Sequence, residues 1–257
     1  MAIDLKKMRS KLDRLEGKGR ASSAFWKPQD GDQTIRILPC ADGDPFKEFW
    51  FHYNLGDNRG FLSPKRNFGE DDPLDSFVRQ LFNSGSEEDI KMAKNLMARQ
   101  RFFSPVIVRG EEEKGVRLWG YGKMAYKELV TLALNPDYDD ITDPETGTDL
   151  VINYGKPPGA AFPKTTITPR RRSSTLFAND PDGSQAAEAM RSIPNYDKVF
   201  SESRKTPNEV GIMLDEWLSG EATAESGRTV EKYGSTNSTE SQVDQKLVEL
   251  LNSSATV

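Results

Sequence analysis

Short β-type runs, separated by turn residues, dominate the first half of the sequence. They read TIRILP at 34–39, FKEFWFHY at 46–53, FFSPVIVRG at 102–110 and GVRLWGYG at 115–122. β-Branched and aromatic residues fill these runs, and Gly, Asp and Pro lie between them, as is typical of antiparallel strands. The segment GEEEKG at 110–115 joins two runs at a distance typical of a hairpin. The pattern predicts a mainly β core.

Helical spacing interrupts this β pattern. Residues 74–100 carry apolar side chains at helical spacing on both sides of the turn NSGS, which predicts a helical hairpin with Ser86 as the N-cap of its second helix. Further helices are predicted over 125–134 and 208–218, and further β runs within 150–168. The predicted fold class is therefore α+β, mainly β with helical insertions.

Length and composition limit the number of domains and the classes of function. The 257 residues carry a net charge of −5 and suffice for one medium domain with tails. We predict an arm over 1–20, a core over 21–218 and a flexible tail over 219–257. A single cysteine and a single histidine exclude an internal disulfide and make most hydrolytic machinery improbable. No apolar run approaches the roughly 18 residues that span a bilayer, so we expect a cytoplasmic protein.

The N-terminal segment is basic in an otherwise acidic chain. Within 1–20 there are seven Lys or Arg residues and three acids, and the apolar residues follow a short amphipathic helix. Such a helix is either a solvated terminal segment or an arm that binds phosphates or a neighbouring subunit.

Aromatic residues recur beside Lys or Arg along the β runs, as in a groove that binds single-stranded nucleic acid. Cations neutralise phosphates and aromatic faces stack on unpaired bases at roughly 1–3 kcal/mol per base. In VRLWGYGK, alternation predicts that Val116 and Leu118 face the core and that the intervening residues share the opposite face. The competing interpretation is that these aromatic residues are core. The candidate groove residues are Arg36, Tyr53, Arg99, Arg101, Phe102, Phe103, Arg117, Trp119, Tyr121 and Lys123.

Three consecutive arginines, Arg170, Arg171 and Arg172, follow the last β run. The stretch 151–175 contains five Lys or Arg residues and no acid. The triplet is either solvated surface or a set of phosphate contacts at the rim of the groove, and the absence of acids favours the second interpretation.

Two other functional classes remain open. The carboxylates at 70–75 or 137–149 could serve a metal-dependent nuclease, since hard cations take oxygen ligands. Acids before an apolar helical segment such as 74–82 need no catalytic explanation, however, because they favour a helix N-terminus. The second class is a virion or protein-interaction component, in which every aromatic residue is core. Cys40 is interpreted as structural.

The order of these motifs resembles the T4-type bacteriophage single-stranded DNA-binding protein, the helix-destabilising protein of phage replication. The matching pieces are the basic arm, IRILP followed by PFKEFWFH, RQRFFSPVIV, and VRLWGYGKMAYKELVTL, over roughly residues 5–215. The resemblance implies an oligonucleotide/oligosaccharide-binding (OB) barrel with a small helical subdomain and a cleft for single-stranded DNA. It implies a non-enzymatic role in DNA replication, recombination and repair in an infected bacterium. It also implies that Lys6, Lys7, Arg9, Ser10 and Lys11 mediate cooperative binding by contacting the next protomer.

The sequence departs from that family in two places. Well-known members hold a structural zinc with one His and three Cys, including a C-P-x-C pair, where this chain has Asp72-Pro73-Leu74-Asp75. His52 matches the histidine but has no cysteine partners, so we expect no zinc and a hairpin held by Leu74, Phe77, Val78, Leu81 and Phe82. The family tail is strongly acidic and recruits replication proteins, whereas 219–257 has six acids and three bases. Phage replication and recombination proteins are the partners expected for this tail.

Overall fold

The computed structural model describes residues 24–56, 60–160 and 162–225, with side chains up to residue 220. Within these ranges the chain is mixed α/β, with one eight-stranded sheet and seven α-helices. The predicted β runs are confirmed as strands, and a short strand at Phe25–Trp26 is added to them. The strands are β1 (Phe25–Trp26), β2 (Gly31–Ile37), β3 (Lys47–His52), β4 (Phe61–Leu62), β5 (Arg99–Val108), β6 (Arg117–Tyr121), β7 (Leu150–Gly155) and β8 (Lys164–Pro169).

The strand order is β1-β6-β5-β2-β7-β8, and β3 pairs with both β5 and β4. β1 pairs with β6 in parallel, and the other pairings are antiparallel. A short 3-10 helix, Glu112–Lys114, turns the chain between β5 and β6, which confirms the predicted hairpin. Within the described ranges β1 and β8 do not pair with each other, so the sheet is open.

β5 is the centre of the molecule because both of its faces are covered. Every residue from Arg101 to Val108 is buried. One face belongs to a cluster with Trp26, Ile35, Trp119 and Leu150. The opposite face meets aromatic residues around Phe200 at one end and Leu176 at the other. At β5 the sheet is thus covered by packed side chains on both faces.

This double coverage corrects the predicted alternation on β6. Leu118 is buried as expected, but Trp119 and Tyr121, predicted to face a groove, are 1% and 4% exposed and belong to the core. Strict alternation of buried and exposed residues applies to a sheet with one solvated face. Here the helix that follows β6 covers the face of Trp119 and Tyr121 through Ala125 and Leu129, and the segment around Leu176 covers the other face at Val116. The sequence of β6 alone contains no sign of these layers.

In the described ranges seven α-helices lie around the sheet, and the predicted helical hairpin is confirmed. Ser86 precedes its second helix as predicted, although its side chain makes no capping hydrogen bond. The last helix starts where predicted but continues to Glu225, beyond the expected end at 218, so the start of the predicted tail is helical. The helices are α1 (Pro64–Phe68), α2 (Pro73–Asn83), α3 (Glu87–Leu96), α4 (Lys123–Ala133), α5 (Ser184–Arg191), α6 (Tyr196–Val199) and α7 (Pro207–Glu225).

Apolar packing joins the hairpin to α7. Leu74 and Val78 of α2 are buried, and Phe77 and Leu81 are partly buried, against Val210 and other residues of α7. Phe82 was expected in this cluster but is 39% exposed in the last turn of α2, where its neighbour Leu81 is the side chain that packs into the cluster. The sequence did not predict that α7 packs against the hairpin.

A buried polar network ties the hairpin to the sheet. His52 of β3 bonds through Nε2 to Oδ2 of Asp72, at 3.1 Å, and through Nδ1 to the carbonyl oxygen of Leu96, at 2.9 Å. The Ser63 hydroxyl donates to Asp72 Oδ2 at 2.6 Å, and the Asp75 N–H donates to Asp72 Oδ1 at 3.1 Å. Both ring nitrogens therefore face oxygen acceptors. Asp72 is at once the N-cap of α2 and the acceptor that holds His52.

This network does not match a structural zinc site. Zinc in such sites takes a tetrahedral set of cysteine sulfurs and histidine nitrogens. Here the nitrogens of His52 bond to protein oxygens, and the oxygens of Asp72 already accept from Ser63 and Asp75. Among the described residues there is no group of three or more His, Cys, Asp or Glu side chains that could hold a metal ion.

We expect Asp72→Asn to lower the free energy of unfolding by about 3 kcal/mol at neutral pH, because it leaves His52 buried without its charged partner. Burial opposes the ionisation of Asp72, but the hydrogen bond and charge of His52 and the bonds from Ser63 and the Asp75 N–H outweigh it and lower the pKa of Asp72 to about 2. The folded pKa lies below the ordinary value of 3.8, so this stabilisation is present above about pH 4 and is lost as the pH falls through 2. Urea unfolding at a series of pH values measures both effects.

The matched control is Asp71→Asn, which removes a charge from the exposed neighbour. We expect it to change the stability by less than about 0.5 kcal/mol. Equal losses in the two variants would contradict a special role for the Asp72 carboxylate.

Candidate nucleic-acid interface

The two ends of the strand order line a common cleft. β1, at one end, contributes Phe25 and Trp26, and β8, at the other, contributes Lys164 and Thr165. The end of β6 and the first turns of α4 complete the walls around a cavity of about 200 Å³. The open sheet therefore curls until both of its edges reach the same site.

Aromatic rings and cations line this cleft together. The Trp26 and Trp119 rings meet edge to face at 6.0 Å, and the Tyr121 ring lies 4.5 Å from Trp119. Burial raises the pKa of the Tyr121 phenol, whose oxygen shares a 2.7 Å hydrogen bond with Ser104. The aromatic lining residues are Phe25, Trp26, Trp119, Tyr121 and Tyr154, and the cationic ones are Lys27, Arg101 and Lys164.

The charge of the cleft is positive although the chain is acidic. Lys27 and Lys164 are exposed at its mouth, and Arg101, only 4% exposed, lies in its wall. Glu128 is the acidic lining residue, and its Oε2 accepts the Ile167 N–H of β8 at 3.2 Å. Low-dielectric walls that carry more cations than acids raise the local concentration of anions. Trp26, Trp119 and Tyr121 form the buried floor of the cleft, and Phe25 and Tyr154 are its half-buried rings. The arrangement can therefore attract a phosphate chain and offer the rings of Phe25 and Tyr154 to its bases.

Three of the predicted groove residues lie together in this cleft: Arg101, Trp119 and Tyr121. Sequence reasoning missed Phe25, Lys27 and Tyr154. Phe25 and Lys27 fall beside a two-residue strand that is too short to show a periodicity. The absence of acids from 151 to 175 was the available signal for the β7–β8 side of the cleft.

Other predicted groove residues belong to the core. Phe102 stacks on Tyr126 of α4 with ring centres 3.8 Å apart. Phe103 and Tyr53 are buried in the cluster around Phe200. The prediction that these three rings line a groove is corrected, because α4 covers one face of β5 and the segment containing Phe200 covers the other.

Arg36 was expected to contact phosphate, but it is fully buried. Its guanidinium pairs with Asp149 at 2.9 Å and donates to the carbonyl oxygens of Asp143, at 3.1 Å, and Ser174, at 2.9 Å. Arg109 also binds both oxygens of Asp149, at 2.8 and 3.0 Å. Burial lowers the pKa of Arg36, and the charge of Asp149 opposes this effect. Arg36 thus fastens the loop before β7 and the segment after β8 to the sheet.

The remaining candidates lie at separate places. Arg117 is buried and pairs with Glu111 at 2.7 Å, which makes it a structural residue of the β5–β6 hairpin. Arg99 is half-buried at the start of β5, and Lys123 is exposed at the first turn of α4. Arg170, Arg171 and Arg172 are exposed after the C-terminal end of β8, whereas Lys164, the β8 cation in the cleft, is at its N-terminal end.

The last sequence candidates are the nuclease carboxylate, the lone cysteine, the basic arm and the tail. Asp72 is committed to the network with His52. Cys40 is half-buried after β2, and burial raises the pKa of its thiol. The cooperativity residues of the basic arm and the end of the tail lie outside the described residues.

Comparison with known proteins gave no match, either to models of protein families or to curated proteins. Among the described helices, none is long and apolar enough to cross a membrane.

We expect Arg36→Lys to lower the free energy of unfolding by about 2 kcal/mol or more, because an ammonium group cannot reproduce the planar set of bonds to Asp149, Asp143 and Ser174. Urea unfolding measures the loss. The control is Arg172→Lys, at an exposed site, which should leave the stability unchanged. A variant of Arg36 that keeps full stability but loses affinity for nucleic acid would contradict the structural role.

Proposed function

We propose that the protein binds single-stranded DNA without sequence preference and is not an enzyme. The observation that supports this most strongly is the cleft in which aromatic rings and cations lie together between the two sheet edges. Cations there neutralise phosphates, and stacking requires only the π-face that every base has, so binding of this kind tolerates any sequence.

The architecture that we propose is an OB-type barrel that stays partly open. A curled sheet whose first and last strands both line one cleft supports this assignment, as does the helix α4 packed against the inner cluster. OB folds bind oligonucleotides on such a sheet surface, with site sizes of roughly 4–16 nucleotides. The helical cluster of α2, α3 and α7 would be the small subdomain.

The biological role that we propose follows from the resemblance to the T4-type phage protein. It is cooperative coating of single strands during phage DNA replication, recombination and repair, in the cytoplasm of the infected bacterium. Self-association through the N-terminal arm and recruitment of replication and recombination proteins through the C-terminal tail belong to the same proposal. The negative net charge is compatible with it, because binding depends on local potential.

We expect Lys27→Glu combined with Lys164→Glu to weaken binding of a short oligo-dT about tenfold at low salt, since two cations at the mouth of the cleft are reversed. Quenching of tryptophan fluorescence measures the affinity, because Trp26 and Trp119 line the cleft. The slope of log affinity against log salt should fall by about 1.4, or about 0.7 for each lost phosphate contact.

The matched control is Lys91→Glu combined with Lys198→Glu, which makes the same change in net charge at exposed sites on α3 and α6. It should bind almost as the wild type does. Equal loss in both variants would show only a general effect of charge. Absence of binding of the wild type to any single strand at low salt would overturn the proposed function and favour the protein-interaction class. Magnesium-dependent cleavage of DNA by the wild type would favour a nuclease.

Deletion of residues 1–18 should leave the affinity for one short oligonucleotide nearly unchanged and remove cooperativity on long strands, because the arm would contact the next protomer and not the cleft. Titration of a long poly-dT lattice, compared with a short oligo-dT, measures the two quantities. Identical isotherms of the full chain and the deletion variant on the long lattice would refute the role of the arm.

A further inference from the structure

The outer face of the β7–β8 hairpin is polar and open to solvent. Ile167 of β8 packs against the inner core cluster, so the residues on either side of it face outward. Opposite them on β7 lie Asn153, which pairs with Thr166, and Val151, which pairs with Thr168. The outward row along β8 and beyond is Lys164, Thr166, Thr168 and Arg170.

This row connects the cleft with the arginine triplet. Lys164 lines the cleft, and Arg170 follows the other end of the strand, six residues further along. At about 3.3 Å per residue the two cations are about 20 Å apart. A stacked strand rises about 3.4 Å per nucleotide along its axis, so this span corresponds to at most about six nucleotides, and fewer if the strand is extended.

Two acidic side chains beside this row already have bonding partners, whereas two of the arginines beyond its end make no ion pair with a described residue. Asp149, whose carbonyl oxygen accepts the Arg170 N–H, is already bound through its carboxylate by Arg36 and Arg109. Asp32, on the outer face of β2, accepts a hydrogen bond from Asn153. Arg170 is anchored by a 3.1 Å bond to the Thr34 hydroxyl, whereas Arg171 and Arg172 are exposed and make no ion pair with a described residue.

We infer that a single strand leaves the cleft at Lys164 and runs along the outer face of β8 to Arg171 and Arg172. This inference rests on the proposed function and adds a second, separate contact region to it. The row contains hydroxyl groups and cations but no aromatic ring, so this region binds the phosphate backbone and does not stack bases. Affinity should therefore rise in two steps with the length of the strand.

The test compares the full-length wild type with Arg171→Glu combined with Arg172→Glu on two oligo-dT lengths, about four and about twelve nucleotides. The variant should bind the short oligonucleotide as the wild type does and the long one about tenfold more weakly at low salt. On the long oligonucleotide its salt slope should fall by about 1.4. Arg171→Lys combined with Arg172→Lys should keep the wild-type affinity for both lengths.

The control is again Lys91→Glu combined with Lys198→Glu. The inference would be overturned if Arg171→Glu combined with Arg172→Glu binds the long oligonucleotide as the wild type does. It would also be overturned if this variant loses affinity equally for both lengths, since either result removes the length dependence. If the wild type binds both oligonucleotides and only this length dependence fails, the proposed function stands. If the wild type binds neither, the proposed function fails and the inference fails with it.

Discussion

The rest of the fold depends on the burial of β5 on both faces. This strand pairs with β2, β3 and β6, and packing covers it from the inner cluster on one face and from the Phe200 and Leu176 regions on the other. A strand with no solvated face has to carry apolar residues at consecutive positions. The covering segments come from distant parts of the chain, so the sheet and its outer layer stabilise each other.

Two buried polar networks secure the layers that apolar packing brings together. Arg36 and Arg109 converge on Asp149 and hold the segment after β8 to the sheet, and His52 and Asp72 hold the helical hairpin to β3. Buried charges are costly unless they are paired, so each network fixes the position of its segment in a way that apolar contacts alone do not. Residues that look functional in the sequence, a cation in a strand and a lone histidine, are used here for architecture.

The elements of the fold could be predicted from the sequence more fully than the site. The strands and the helical hairpin follow from local periodicity, which nearby residues determine. The exposure of Phe102, Trp119 or Arg36 depends instead on what covers the sheet, and the covering residues lie up to 138 positions away, as Ser174 does from Arg36. All of these arginines look alike in the sequence. Burial in the fold distinguishes Arg36 and Arg117, which are paired inside the protein, from Arg171 and Arg172, which are exposed.

The bond between Glu128 and the Ile167 N–H has a consequence for assembly. An edge strand with unpaired backbone donors is a template for the strand of another molecule, and natural proteins block it with charges or with proline. In β8 a carboxylate occupies one donor, and Pro169 has no N–H to offer. Sheet-to-sheet polymerisation at this edge is therefore disfavoured, and neighbouring molecules at high concentration keep their sheets separate.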